Sequence, residues 1–233
     1  VGFFKPHLPF TAPSKYWNMY NESDIPLSPN PFIPISVNKA SLHDSKEFNQ
    51  YRLTDEIVSL DKPVSDIYAR KLRHAYFACI SYIDAQIGKI IEEMERLDLK
   101  QNTIIIIWGD HGWHLGDHGL WNKHTNFEQA THSTMMIVDP SIKPSRVTSP
   151  VEFVDIYPTL CELAGISKPM VLDGVSLVKS MKDTGIDSKQ FAVSQYPRDI
   201  PNNKKVMGYS IRDKRYRYTI WFDWTNRKLN TDI

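Results

Sequence analysis

The stretch that most restricts the fold is Thr103-Ile104-Ile105-Ile106-Ile107-Trp108, a β-branched run with no polar alternation. A half-exposed strand needs a polar residue at every second position, so a run that is apolar throughout predicts a strand covered on both faces. Burial on both faces is typical of a parallel sheet packed between helices. The flanking sequence agrees. Tyr76, Cys79, Ile80, Ile83, Ile87, Ile90, Ile91 and Met94 recur at three- and four-residue spacing, which predicts a long amphipathic helix over 64–97 that a polar break at 97–102 separates from the strand. Helix, short loop and buried strand make one turn of an α/β fold.

The remaining elements fit the same class. Thr134-Met135-Met136-Ile137-Val138 predicts a second strand, ended by Asp139-Pro140. Ser149-Pro150-Val151-Glu152 has the form of a capping box with proline at the first helical position, opening a helical segment interrupted at Pro158 and closed at Gly165. Residues 207–212 and 215–221 are β-prone runs joined by Asp213-Lys214, which predicts an antiparallel hairpin in a smaller second sheet. At the other end, seven of the 15 prolines fall within the first 34 residues, so that segment is expected to be extended and irregular. Residues 38–63 carry no period and are expected either as a functional surface or as a solvated insertion. The predicted architecture is α/β, a mostly parallel sheet sandwiched by helices, with the start of a small antiparallel sheet. A boundary is expected between 1–184 and 185–233.

Composition excludes several classes. With 28 Lys and Arg against 27 Asp and Glu, the net charge is +1, and the basic residues are interleaved with acids, which argues against a nucleic-acid partner. Cys79 and Cys161 stand in helical patterns without metal-binding spacing and are expected as buried thiols. The longest apolar run is far short of the roughly 20 residues that a membrane span needs. The chain opens at Val1-Gly2-Phe3-Phe4-Lys5 with no initiator methionine or apolar leader, and is therefore expected to be an internal segment of a longer protein.

Chemistry concentrates just past the predicted strand, in Gly109-Asp110-His111-Gly112-Trp113-His114-Leu115-Gly116-Asp117-His118-Gly119-Leu120-Trp121-Asn122-Lys123-His124. Five of the eight histidines lie in or just after this stretch (His111, His114, His118, His124 and His132). In open α/β sheets ligands bind outside the carboxyl ends of strands, where Asp110 and His111 fall, so an oxygen and a nitrogen donor stand together as candidate metal ligands. Lys123 is a candidate point charge for an oxyanion. Lys5-Pro6-His7-Leu8-Pro9-Phe10 sets a lysine and a histidine in a proline-stiffened frame, and because histidine as a residue type exchanges protons near neutral pH, His7 is a candidate general acid.

These residues resemble the second metal-binding block of the type I sulfatases, in the alkaline phosphatase superfamily, most closely the iduronate-2-sulfatase branch. The resemblance extends in order through Lys5-Pro6-His7, Tyr76-Phe77-Ala78, Asn126-Phe127, Ala130-Thr131-His132, Pro158-Thr159-Leu160, Ser194-Gln195-Tyr196-Pro197-Arg198 and Met207-Gly208-Tyr209-Ser210-Ile211-Arg212. It implies an alkaline phosphatase-like fold and a hydrolase of sulfate monoesters, with a formylglycine nucleophile made from Cys or Ser in a Cys-x-Pro-Ser-Arg motif. By the same resemblance Asp110 and His111 are Ca²⁺ ligands, with Mg²⁺ or Zn²⁺ as alternatives, while Lys123 and His7 contact the sulfate. Lys5, Trp113, His114, Asp117 and His118 are expected to line the pocket mouth, Trp113 stacking on a sugar and Lys5 balancing Asp117 beside a uronate. The implied partner is a sulfated carbohydrate, and the implied location is secreted, periplasmic or lysosomal.

The departures are as informative. Neither cysteine is followed by Pro and Arg, and the family's first acidic pair is absent from this sequence. The 233 residues alone are therefore expected to be inactive, with the nucleophile supplied by a region upstream. Two other readings remain open: a phosphatase or phosphonate monoester hydrolase of the same superfamily, and a non-catalytic carbohydrate-binding remnant.

Overall fold

The computed structural model describes residues 1–52, 54–201 and 204–224. The chain forms two compact units, one made of residues 1–100 and 111–125, the other of 101–110 and 126–233.

In the first unit, two short helices, α1 (Ser14–Trp17) and α2 (Lys46–Asn49), precede the long α3 (Asp66–Arg96). α3 starts where the Ser65 hydroxyl accepts the Tyr68 N–H at 3.2 Å, and Glu56 steadies that cap by accepting from both the Ser65 N–H and its hydroxyl. Asp66 in the first turn and Arg96 in the last oppose the helix dipole. Small residues let α3 pack closely, with Ala75, Ala78 and Cys79 buried beside His74, whose Nε2 lies 2.9 Å from the Trp17 carbonyl. The predicted helix is present; of the predicted stripe Cys79 is fully buried, most members are half-buried, and Ile80 is 44% exposed.

The core of this unit gathers Leu8, Phe48, Val58, Ala69, Trp113 and Trp121, with Phe10 and Tyr76 against it. Phe48 and Val58 come from the stretch expected either as a surface or as a solvated insertion, and they exclude the second reading. Asn49 clamps this stretch, its side chain donating to the Val58 carbonyl at 2.8 Å and accepting the Val58 N–H at 3.0 Å. A bent, aperiodic segment can bury apolar groups when side chains satisfy its backbone.

The second unit contains β1 (Ile105–Trp108), α4 (Glu128–Thr131), β2 (Met135–Val138), α5 (Ile156–Leu163), α6 (Val178–Lys182), β3 (Ala192–Ile200), β4 (Lys204–Arg212) and β5 (Arg217–Asp223). β1 and β2 run antiparallel, Ile105 opposite Val138 and Trp108 opposite Met135. Here the parallel expectation is corrected for this pair. An apolar run does not fix strand direction, and the strand is not covered on both faces either: Ile105 to Ile107 are half-buried, Trp108 is exposed, and among the described residues β1 has one strand neighbour.

The helix start after β2 is also displaced. The capping box lies at Glu152 and Asp155, not at Ser149 to Glu152, with the Asp155 carboxylate accepting the Glu152 N–H at 2.8 Å. Pro158 does not break α5, because it sits in the first turn, where its missing N–H has no helical partner to lose. Asp155 is fully buried, and its other oxygen accepts the Val175 N–H and the Lys189 ammonium, each at 2.8 Å. Gly174 passes so close to this turn that a Cβ there would collide with the Val154 carbonyl.

The expected hairpin is present as β4 and β5. β3 joins it to make a sheet ordered β3-β4-β5, all antiparallel. β3 has the lower strand signal because it contains Pro197, which an edge strand tolerates. Gly208 in β4 leaves room for the Trp221 ring on β5, which a Cβ would meet at 2.7 Å. Glu128 of α4 ties the sheet down, accepting from Arg217 at 2.7 Å and from Arg212 at 3.3 Å.

Candidate functional site

Residues 111–125 are irregular but well anchored. The His114 N–H donates to the Asn122 carbonyl at 2.8 Å and the Gly116 N–H to the Leu120 carbonyl at 2.9 Å, pinching the segment into a loop. Gly116 has φ of 100°, and a Cβ there would press against the Trp121 ring at 3.2 Å, so both conformation and space require glycine. Trp113, His114, Leu120, Trp121 and Asn122 are all buried, and they fix the end of the loop from which Lys123 projects.

His7 stands on the proline-framed N-terminal turn. Lys5 braces that turn by donating to the His7 carbonyl at 3.2 Å and to the Pro9 carbonyl. His7 Nδ1 lies 2.9 Å from the Leu8 carbonyl, which can only accept, so the proton sits on Nδ1 and Nε2 points the other way. There Lys123 Nζ approaches Nε2 to 3.0 Å. The two residues expected to hold an oxyanion, 116 positions apart, thus meet directly.

A third residue completes the group. Glu47 on α2 places Oε1 3.4 Å from both Lys123 Nζ and His7 Nε2, and Oε2 3.0 Å from Asn122 Nδ2 and 3.5 Å from His124 Nε2. Partial burial pushes the Glu47 carboxyl up, but the Asn122 hydrogen bond and the Lys123 and His124 charges outweigh it and hold it below the usual range. Lys123 is also 5.1 Å from the Trp113 ring centroid, a cation–π contact on its remaining side. The arrangement is a set of donors and cations around one carboxylate.

The other expected site residues are placed differently. Trp113 is a buried core residue beside Lys123, its ring also near Phe10 and Tyr76. His114 is fully buried between Thr125 Oγ1 at 2.9 Å and the Asp117 carbonyl at 3.2 Å. Burial first, and then the neighbouring His118, push its pKa down to about 4, so it is a neutral structural imidazole. Asp117 accepts from Ser28 at 2.9 Å, and His118, at φ of 59°, packs beside Asn30. Lys5 is committed to the His7 turn.

Asp110 is exposed at the end of β1, where the Gly109 N–H donates to the Thr134 carbonyl at 3.0 Å and the Ser133 hydroxyl donates to the Gly109 carbonyl at 2.6 Å. His111, the next residue, has Nδ1 2.7 Å from the Gly112 carbonyl, which selects the tautomer with an acceptor Nε2. Among the described residues no three His, Cys, Asp or Glu side chains form a group able to hold a metal ion. Two donors fall short of the six to eight oxygens that Ca²⁺ prefers, so the residues present do not by themselves fit a calcium site. Both cysteines are buried. The Cys79 thiol is pushed up by burial and donates to the Thr11 carbonyl, so it is not an activated nucleophile.

Glu47 and Asn122 are the site residues that sequence reasoning missed. Glu47 lies in the aperiodic 38–63 stretch, where no spacing distinguishes it from a surface acid, and only its tertiary partners mark it.

Known proteins share both the sequence and the fold. The Sulfatase family model matches residues 1–166, and the model for the C-terminal part of N-sulphoglucosamine sulphohydrolase matches 116–230. Human iduronate 2-sulfatase is 31% identical over 281 residues, covering 95% of this chain and 51% of that protein. Choline-sulfatase of Rhizobium meliloti is 31% identical over 221 residues, covering 94% of this chain and 41% of that protein. A crystal structure of a sulfatase candidate from Bacteroides fragilis superposes with a TM-score of 0.69 at 26% identity, covering 97% of this chain and 44% of that one. The fold is thus α/β of the alkaline phosphatase-like type, and the chain spans about half the length of the curated relatives it matches.

Proposed function

The chain belongs to the sulfatase family, and from that membership we propose that it is a segment of a sulfuric ester hydrolase acting on sulfated glycans such as 2-O-sulfated uronates. The observation that carries the reading is the Lys123–His7 pair, held at 3.0 Å in a cluster of donors. Lys123 neutralises charge on the sulfuryl oxygens. As the anion draws the Lys123 ammonium toward itself, His7 Nε2 is released to take a proton from solvent and pass it to the leaving alcohol. The glycan preference takes its support from the name of the human relative.

The nucleophile in this proposal is a formylglycine from a region outside these 233 residues, since neither Cys79 nor Cys161 stands in the required motif. Asp110 and His111 contribute two donors to a Ca²⁺ set that other residues complete, with Mg²⁺ or Zn²⁺ as alternatives. Residues 1–184 then belong to the catalytic domain, and 185–233 begin a C-terminal subdomain. No described helix is long and apolar enough to cross a membrane, and a secreted, periplasmic or lysosomal location is proposed with the family.

The test is hydrolysis of 4-nitrophenyl sulfate. The 233-residue chain alone is expected to give no turnover, and the chain joined to an upstream segment carrying Cys-x-Pro-Ser-Arg is expected to be active. In the active form Lys123→Ala lowers kcat/KM by about 10²- to 10³-fold, the loss typical of removing one oxyanion-stabilising group. Turnover by the chain alone, or an unaffected Lys123→Ala, overturns the proposal.

A further inference from the structure

We propose that Glu47 is a positioning residue that occupies the place of an anion between Lys123 and His7, weakening sulfate binding in exchange for an aligned pair. The inference rests on the reading of Lys123 and His7 as sulfate-binding groups. Its own evidence is geometric. Oε2 is anchored by a hydrogen bond from the buried Asn122 at 3.0 Å, whereas Oε1 accepts a longer one from Lys123 Nζ at 3.4 Å and lies 3.4 Å from His7 Nε2. A carboxylate built only to pair with Lys123 would close to a charge-assisted distance of about 2.7–2.9 Å. This one stands farther off and faces both partners at once.

The consequence has two signs. A fixed negative charge about 3–4 Å from both anion-binding groups opposes any incoming sulfate by Coulomb repulsion. The same carboxylate, set between the Lys123 ammonium and His7 Nε2, holds both groups in one arrangement toward the leaving oxygen. Removing it exchanges binding against turnover, which a purely structural glutamate would not do. Asn122 serves as the anchor in this scheme, and its side-chain oxygen also accepts the Lys123 N–H at 2.9 Å, so the carboxylate and the lysine backbone are set by one buried amide.

The experiment titrates the 233-residue chain with inorganic sulfate by calorimetry, comparing wild type, Glu47→Gln and Lys123→Ala. Glu47→Gln keeps the shape and an acceptor for Asn122 while deleting the charge, and is expected to bind sulfate three- to tenfold more tightly. Equal or weaker binding overturns the inference. Lys123→Ala is expected to abolish binding; if it binds as wild type, the underlying reading of the site fails instead. Should Glu47→Gln not fold, Glu47→Asp carries the test, because it draws the charge back from both partners and is expected to bind sulfate at least twofold more tightly, with no gain counting against the proposal. In the turnover-competent form Glu47→Gln lowers KM and kcat together; a fall in kcat with a raised KM contradicts it.

Discussion

His114 illustrates how one residue type serves two roles within a few positions. Its sequence neighbours mark it as a candidate pocket residue, yet the fold buries it with both ring nitrogens engaged. With a folded-state pKa of about 4 and an unfolded value near 6.5, the unfolded chain binds the extra proton between those limits. Stability from this group is therefore complete above about pH 6.5 and is lost as pH falls toward 4, by about 3 kcal/mol in all. Urea unfolding between pH 7 and pH 4 is expected to show a shallower decline for His114→Gln than for wild type, and equal slopes would contradict the assignment. The same ambiguity explains which site residues are legible in the sequence. Lys123 and His7 emerge through the resemblance, since nothing in their spacing announces a contact. Trp113, His114 and His118 carry ligand and core chemistry alike, so only burial separates the two.

Among the elements, the long helix and the hairpin are readable because each repeats its pattern over many residues, averaging out single exceptions such as Ile80. The direction of β2 against β1 is not readable, since pairing is decided by partners outside the run. Nor is the true capping box, where Glu152 and Asp155 compete with an equally plausible Ser149. The tightest crossing in the second unit, Gly174 over the turn at Val154, is a contact between backbones, and it relaxes only if one of the two segments moves. Gly174→Ala is expected to cost about 2–3 kcal/mol, within the range for overpacked sites, and to lower Tm by roughly 5–10 °C in a chain of this size. A thermal scan within about 2 °C of wild type would mean that the two segments part at little cost.

At the scale of the whole molecule, neither compact unit is a continuous stretch, for the chain changes unit after Lys100, after Asp110 and after Thr125. A chain beginning at Asn126 keeps β2 but lacks its partner β1, so the amides of Met135 to Val138 lose the ladder that protects them. Hydrogen exchange of that truncated chain is expected to be at least tenfold faster at these positions than in the full chain; unchanged protection would mean that β2 is held by something other than β1.

The interleaving also sets a schedule for synthesis. During translation the first 100 residues emerge with their long helix, but the loop that brings Lys123 to His7 and Glu47 emerges only after ten residues of the other unit have passed. The anion-binding cluster therefore cannot assemble as its first partners appear. It must wait for Lys123, so the nascent chain holds a histidine and a carboxylate without their common cation until the first unit is almost complete.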